Sequence, residues 1–383
     1  MEAHQAEHEH RVTHLELFFD LVFVFAITQV TGFLADDTTW VGLLEGMLLL
    51  AALWWAWAAY AWLTNTLNPE EGGVRIAMFA AMGAMLVVAL AVPTAFGEHG
   101  VLFACAYLAV RLLHLVLYAI AGKGDPDLLG AVLRLTPTAT VAPAILILAG
   151  FLDGDDRIAA WMGALALDFA GPALIGRGRG WRVQPAHFAE RHALIMIIAL
   201  GESIVAIGVG ATSELDLGVV VAASVGIAVV SALWWLYFDV AAILARRQLS
   251  SARGVAQARM ARDAYSYLHW PMVAGIVLFA LALKKTIGDV GEPLGTVPAV
   301  GLFGGLALYL IGHCGFLLRT TRHLFRRRLL TGVVLLALLP VVGDLPALAS
   351  LSTAAAACAA VVAFEAIRHR EHRAEVRRAE LAV

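Results

Sequence analysis

The sequence predicts an all-α polytopic membrane protein with about twelve transmembrane helices in two parallel six-helix repeats. Three observations predict it. Of the 383 residues, 61% are hydrophobic and 15% are charged, with a mean hydropathy of +0.80. A soluble domain carries about 25% charged residues. The chain is a series of apolar runs, each near the roughly 20 residues that cross a bilayer as a helix. Finally, Ala52-Leu53-Trp54-Trp55 recurs as Ala232-Leu233-Trp234-Trp235, 180 residues later.

Taken in order, the runs fall at about 15–34, 41–64, 75–96, 100–121, 130–150 and 157–176 in the first half. Those of the second half fall at 190–210, 217–241, 263–283, 297–318, 327–343 and 346–367. The last two are the least separated, by Gly343-Asp344-Leu345-Pro346 alone. Pro93, Pro137, Pro143, Pro271 and Pro340 lie within runs, where neighbouring helices satisfy the freed carbonyls. The repeat offset also pairs Ala26-Ile27 with Ala206-Ile207 and Arg11 with Arg191. After one loop insertion, Arg75 pairs with Arg262 and Tyr107 with Tyr309. Residues 11–176 and 190–368 are the expected halves. Six spans is an even number, so both should run the same way, related by a pseudo-twofold axis along the membrane normal. Similarity between two apolar helices also arises without a repeat.

The arginines orient the chain. With both termini in the cytoplasm, the inner loops hold Arg177, Arg179, Arg182, Arg246, Arg247, Arg253, Arg259, Arg319, Arg322 and Arg326 to Arg328. The outer loops hold only Arg157, Lys284 and Lys285, as the positive-inside rule requires. The tail, residues 369–383, is charged and is expected to fray or to lie on the surface as a helix. Net charge is −3, and the basic runs all abut spans, so no nucleic-acid partner is expected. Membrane lipid and a small ion or solute are the expected partners, with a homodimer left open. No cleavable signal peptide is expected before the first span. Cys105, Cys314 and Cys358 lie in separate apolar runs, and no disulfide is expected.

Chemistry is expected on the face carrying Glu16 and Asp20. They are four residues apart, so both sit on one side of a helix. Ionisable groups inside a membrane helix are costly and face the protein interior or a wet cavity. Span seven, the first helix of the second half, carries Glu202 twelve residues past Glu190. At about 1.5 Å per residue that is near mid-bilayer. Asp20 and Glu202 are two residues out of register under the 180 offset and are expected at similar but not identical heights, and Gly201 is expected to admit a close neighbour. Arg111 and His114 lie on span four, Asp168 on span six, Asp239 at the inner end of span eight, His269 on span nine and His313 on span ten. An unpaired Arg111 at mid-span costs several kcal/mol, so it needs Asp20, Asp168 or Glu202. Such pairs either fix packing or line a polar cavity.

His192, beside Arg191, is expected at the membrane edge. The histidines do not form a metal-binding spacing, so neither metal nor cofactor is expected. The stretch from Glu2 to His14 carries four histidines among acids, a composition that binds metal, senses pH or remains disordered. Trp54 and Trp55, with Trp234 and Trp235 in the repeat, either pack helices or wall an organic ligand. In Tyr265-Ser266-Tyr267-Leu268-His269-Trp270-Pro271, the proline frees a carbonyl near His269.

Three segments resemble the low temperature requirement protein A (LtrA) family of bacterial membrane proteins. They are His14 to Ala26 (HLELFFDLVFVFA), Glu190 to Ser203 (ERHALIMIIALGES) and Tyr265 to Pro271 (YSYLHWP). The resemblance covers nearly the whole chain and implies a multi-pass protein of the bacterial cytoplasmic (inner) membrane. The family name records a growth phenotype and implies no reaction. More distantly, the chain is similar to two-repeat potassium channels with six helices per repeat, whose first helix carries Arg-x3-Phe-Ser-Asp. At that spacing Phe18 and Asp20 match, while His14 and Phe19 replace Arg and Ser. In the second half Met196 stands six residues before Glu202. The similarity implies the same architecture, and these departures leave potassium selectivity open.

These readings lead to a transporter or channel for a small ion or solute, with protons or cations as candidates. Its polar site is expected at the repeat interface, from Glu16, Asp20, Glu202, Arg111, His114, Asp168, His269 and His313. The alternative is a membrane enzyme or sensor holding a lipid or hydrophobic ligand in the same cavity.

Overall fold

The computed structural model describes residues 12–174, 180–211 and 215–381. Arg11, Arg177, Arg179 and nearly all of the histidine-rich N-terminal stretch lie outside the described residues. Apart from one isolated bridge between Pro293 and Pro346, the described elements are helices. The first half holds α1 (His14–Asp36), α2 (Trp40–Thr64), α3 (Gly72–Ala91), α4 (Gly100–Ala121), α5 (Pro126–Ala149) and α6 (Gly154–Leu174). The second holds α7 (Pro185–Gly210), α8 (Leu217–Phe238), short α9 (Ala241–Ser251) and α10 (Gly254–Met260), then a π-helical stretch, Ala261–Tyr267, leading into α11 (His269–Gly288). It continues with α12 (Thr296–Thr321), α13 (Arg326–Val342), α14 (Ala347–Arg368) and α15 (Arg370–Leu381).

Among the described residues, ten helical segments are long and apolar enough to cross a membrane. The other two expected spans appear as α6, which carries Asp155, Asp156, Arg157 and Asp168, and α13, which has 17 residues. The protein is a multi-pass all-α membrane protein.

Local chemistry sets the helix starts. Thr13 caps α1 in a capping box, its hydroxyl accepting from the Glu16 amide while the Glu16 carboxylate accepts from the Thr13 amide. Thr39, Asp125 and Asp216 cap α2, α5 and α8. Pro185 opens α7 at a position where a missing N–H costs nothing.

Neighbours recur between the halves. In the first, α1 packs on α2 and α3, α3 on α4, α4 on α5, α5 on α6, and α6 closes back on α2. In the second, α7 packs on α8 and α11, α11 on α12, α12 on α13, α13 on α14, and α14 closes back on α8. The seam between them is uneven, because α1 and α2 meet α7 and α11. A half-turn about one axis would place α3 against α7 as α1 lies against α11, and that pair is not among the principal contacts.

Helix α11 is the centre of the molecule. Every residue from Met272 to Leu283 is buried, as expected of a helix apolar on all sides. It meets α12 backbone to backbone, since a Cβ on Gly305 would stand 2.8 Å from the Gly275 carbonyl oxygen. Tail helix α15 docks on the bundle. Arg373 and Arg377 reach Asp239, and Glu380 pairs with Arg246 and Arg247.

Candidate functional site at the seam of α1 and α7

Helices α1 and α7 lie side by side with residue numbers rising together. Glu16 meets His187, Asp20 meets Arg191 and Thr28 meets Glu202. The two helices therefore run parallel. At one end the i, i+4 pair Glu16 and Asp20 faces a second such pair, His187 and Arg191. Arg191 grips Asp20 with both terminal nitrogens, at 2.9 and 3.0 Å. Trp57 of α2 donates to the same carboxylate at 3.0 Å, and its ring lies 5.7 Å from the guanidinium carbon. Arg191 Nε stands 3.6 Å from Glu16 Oε1, an ion-pair distance but too long for a hydrogen bond. All four charged or ionisable residues are buried.

The hydrogen bonds fix the histidine tautomer. The Gln184 amide donates to Asn65 Oδ1 at 2.7 Å, so Asn65 must present its NH2 group to His187 Nδ1, 3.1 Å away. Nδ1 is then an acceptor, and the proton sits on Nε2, which donates to Glu16 at 3.0 Å. His187 is neutral in this arrangement. The cluster thus sets two carboxylates against one guanidinium.

Glu202 extends the acidic seam. It is 3% exposed, and the Thr28 hydroxyl donates to it at 2.6 Å. Among the described residues no cation lies within ion-pair distance of it. The contact register places Glu202 beside Thr28, eight residues beyond Asp20, or about 12 Å along the axis. The expected similar height is thereby corrected. The sequence offset of 180 does not set the packing register, because side-by-side helices slide until their side chains pair. Gly201 has no atom within 4 Å of an added Cβ, so no helix approaches there.

The other candidate residues separate into three places. Arg111 pairs with Asp168 at 2.8 Å, inside the first half. Tyr107 donates to the second Asp168 oxygen at 3.2 Å. His114 lies one turn further on, buried, with neither ring nitrogen bonded. His269 sits in the core of the second half, donating from Nδ1 to Ala264 O and accepting at Nε2 from the Tyr237 hydroxyl at 2.9 Å. His313 lies 2.9 Å from an Arg328 nitrogen, and Arg328 forks onto Glu365. Trp54 and Trp55 are buried, whereas Trp234 and Trp235 are 45% and 37% exposed. The four do not form one wall.

His192 is enclosed by the protein. It is fully buried, donates from Nδ1 to Phe188 O, and packs on Trp57, Phe188, Tyr265 and His269. Residues not singled out from the sequence complete the seam: His187, Asn65 and Trp57, with Arg191 as the counter-ion. The available signal was spacing, two carboxylates four apart on one helix and a histidine and an arginine four apart on its counterpart.

The family model for the bacterial low temperature requirement A protein (LtrA) matches residues 11–363. A protein of Rhizobium meliloti (strain 1021), described as uncharacterized protein RA0937, is 33% identical over 310 residues, 78% of this chain and 75% of that one. No solved structure matches. All three motif segments, Glu16 and Asp20 of the seam among them, lie within the matched residues, and the chain belongs to the bacterial LtrA family.

Proposed function

We propose that this protein passes protons or small monovalent cations across the bacterial inner membrane along the seam of α1 and α7. One observation carries the reading: Glu16, Asp20 and Glu202 line one seam, and among the described residues Arg191 is the one arginine or lysine within ion-pair distance of any of them. A buried surplus of negative charge attracts a cation or binds a proton. In this reading the halves are two copies of one six-helix unit, supported by the recurring order of neighbours. Both termini are cytoplasmic, supported by the arginine distribution. Arg191 and Asp20 hold the halves together, and Glu202 is the carboxylate that exchanges its cation or proton.

Flux in proteoliposomes tests it. Glu202→Gln keeps the volume and an acceptor for Thr28 but removes the charge. It should abolish flux while the variant inserts and purifies like wild type. Wild-type flux in both Glu202→Gln and Asp20→Asn refutes the reading, as does a wild-type protein that passes neither protons nor alkali cations.

A further inference from the structure

A cavity lies elsewhere, where the C-terminal ends of α2, α4 and α6 and the start of α5 meet helix α10 and the π-helical stretch of the second half. Its empty space is about 770 Å³ including the mouth. It shares no residue with the seam cluster. Trp55, Trp62 and Trp181 supply its aromatic walls, and Arg111, Arg259 and Arg262 bring three guanidinium groups to it. Their acidic neighbours are few. Asp168 takes one nitrogen of Arg111, and Asp263 is shared between Arg262 and Arg319. Arg259 is exposed and has no carboxylate partner among the described residues. The cavity is therefore net positive.

A second observation points to an occupant. Three polar side chains that line the cavity are at least nine-tenths buried and carry bare atoms: Arg111 Nε, both nitrogens of His114, and the Tyr118 hydroxyl. A buried polar group without a partner costs about 1–3 kcal/mol, so three such side chains in the wall of one cavity are expensive unless something enters. Tyr118 stands edge-on to both His114 and Trp181, with ring centres 4.9 and 5.3 Å apart. His114 and Tyr118 are thus continuous with the aromatic wall at Trp181.

We propose that this cavity binds an amphiphilic anion, a carboxylate or phosphate head on an apolar body. The head accepts from Arg111 Nε, His114 and Tyr118, with Arg259 and Arg262 at the mouth attracting it. The body lies against Trp55, Trp62 and Trp181. Two sources share this chemistry, an acidic phospholipid and a water-soluble aromatic acid.

Purified full-length protein distinguishes them with two probes. Phosphatidylglycerol retention is read by native mass spectrometry against phosphatidylcholine. Binding of 1-naphthoate is read by equilibrium dialysis against the uncharged 1-naphthalenemethanol. Wild type should hold one equivalent of at least one anionic probe and neither neutral control. Arg259→Gln/Arg262→Gln, changes at the mouth, should weaken it by about tenfold or more. His114→Phe should abolish binding by filling the space. Phosphatidylglycerol alone assigns the site to a lipid and 1-naphthoate alone to a soluble acid; both outcomes support it. No binding of either at millimolar probe, or binding that the double arginine variant leaves unchanged, overturns it. The arginine variant carries the test even if His114→Phe fails to fold.

Discussion

Replacing Arg191 by methionine should unlock the seam. Asp20 receives two guanidinium bonds, at 2.9 and 3.0 Å, and one from the Trp57 indole at 3.0 Å. In Arg191→Met, Asp20 keeps only the indole, and both Asp20 and Glu16 stay buried without a cation. Breaking a buried pair by removing one partner costs about 3–5 kcal/mol. Asp20→Asn removes charge from the opposite side. It leaves Glu16 and Arg191, 3.6 Å apart, as a balanced pair, so only charge-assisted hydrogen bonds are lost, about 1.5–3 kcal/mol. Asp20→Leu/Arg191→Met removes both members and should regain most of the loss, because apolar replacement of a buried pair is often neutral. The coupling energy in the cycle formed by Asp20→Leu, Arg191→Met and their double variant should therefore be at least about 2 kcal/mol. Equilibrium unfolding in mixed micelles reads all four proteins. Costs that simply add, or an Arg191→Met protein within about 0.5 kcal/mol of wild type, would show that the pair does not hold the halves together.

Two glycines should respond oppositely to alanine. At Gly275 an added Cβ meets the Tyr309 amide nitrogen at 2.7 Å and the Gly305 carbonyl, so Gly275→Ala should cost about 1–3 kcal/mol by overpacking. Gly201→Ala meets nothing within 4 Å and should be neutral or slightly stabilising in the same unfolding assay. Asp239→Asn should loosen α15, because Arg373 and Arg377 both depend on that carboxylate. The readout is faster tryptic cleavage within residues 369–378, with little change in global unfolding.

Composition and apolar periodicity were enough to read the helices, and the weak points have physical causes. The run at 190–210 begins late because Pro185 and His187 lower the hydropathy before it, so it keeps Arg191 but leaves out His187. A window that rewards hydropathy discards a polar residue at a helix start, here the partner of Glu16. The π-helical stretch Ala261–Tyr267 was not legible either, since its signature is a wider backbone hydrogen-bond ring, here Leu268 N to Asp263 O. From the sequence, Pro271 frees a carbonyl near His269. The structure routes the imidazole to Ala264 O, five residues back. The Trp pairs are the clearest case. Trp54-Trp55 and Trp234-Trp235 are identical in sequence and opposite in burial. Helix α2 is enclosed by α1, α4, α6 and α11, whereas Trp234 and Trp235 stay partly exposed on α8, with the Arg373 side chain of α15 over the Trp235 ring. Identical residues inherit their role from neighbours that only the fold assigns.

Charge balance separates the buried groups more sharply than motif spacing does. Inside the first half, Arg111 on α4 is neutralised by Asp168 on α6. Inside the second, the position that aligns with Arg111 four residues past the paired tyrosines is His313, which carries no fixed charge. The guanidinium comes instead from Arg328 on α13, and its carboxylate is Glu365 on α14. Each half thus places one deep cation against a carboxylate of its last helix, by different residues, and balances itself. The seam does not. There Arg191 answers Asp20, while Asn65 holds His187 in a neutral tautomer beside Glu16, and Glu202 is bonded by the Thr28 hydroxyl with no cation within ion-pair distance among the described residues. Burying unpaired carboxylates is costly enough that they take up a proton or a cation. An exchangeable charge is therefore most strongly favoured along α1 and α7, and variants within either half should alter stability before they alter passage.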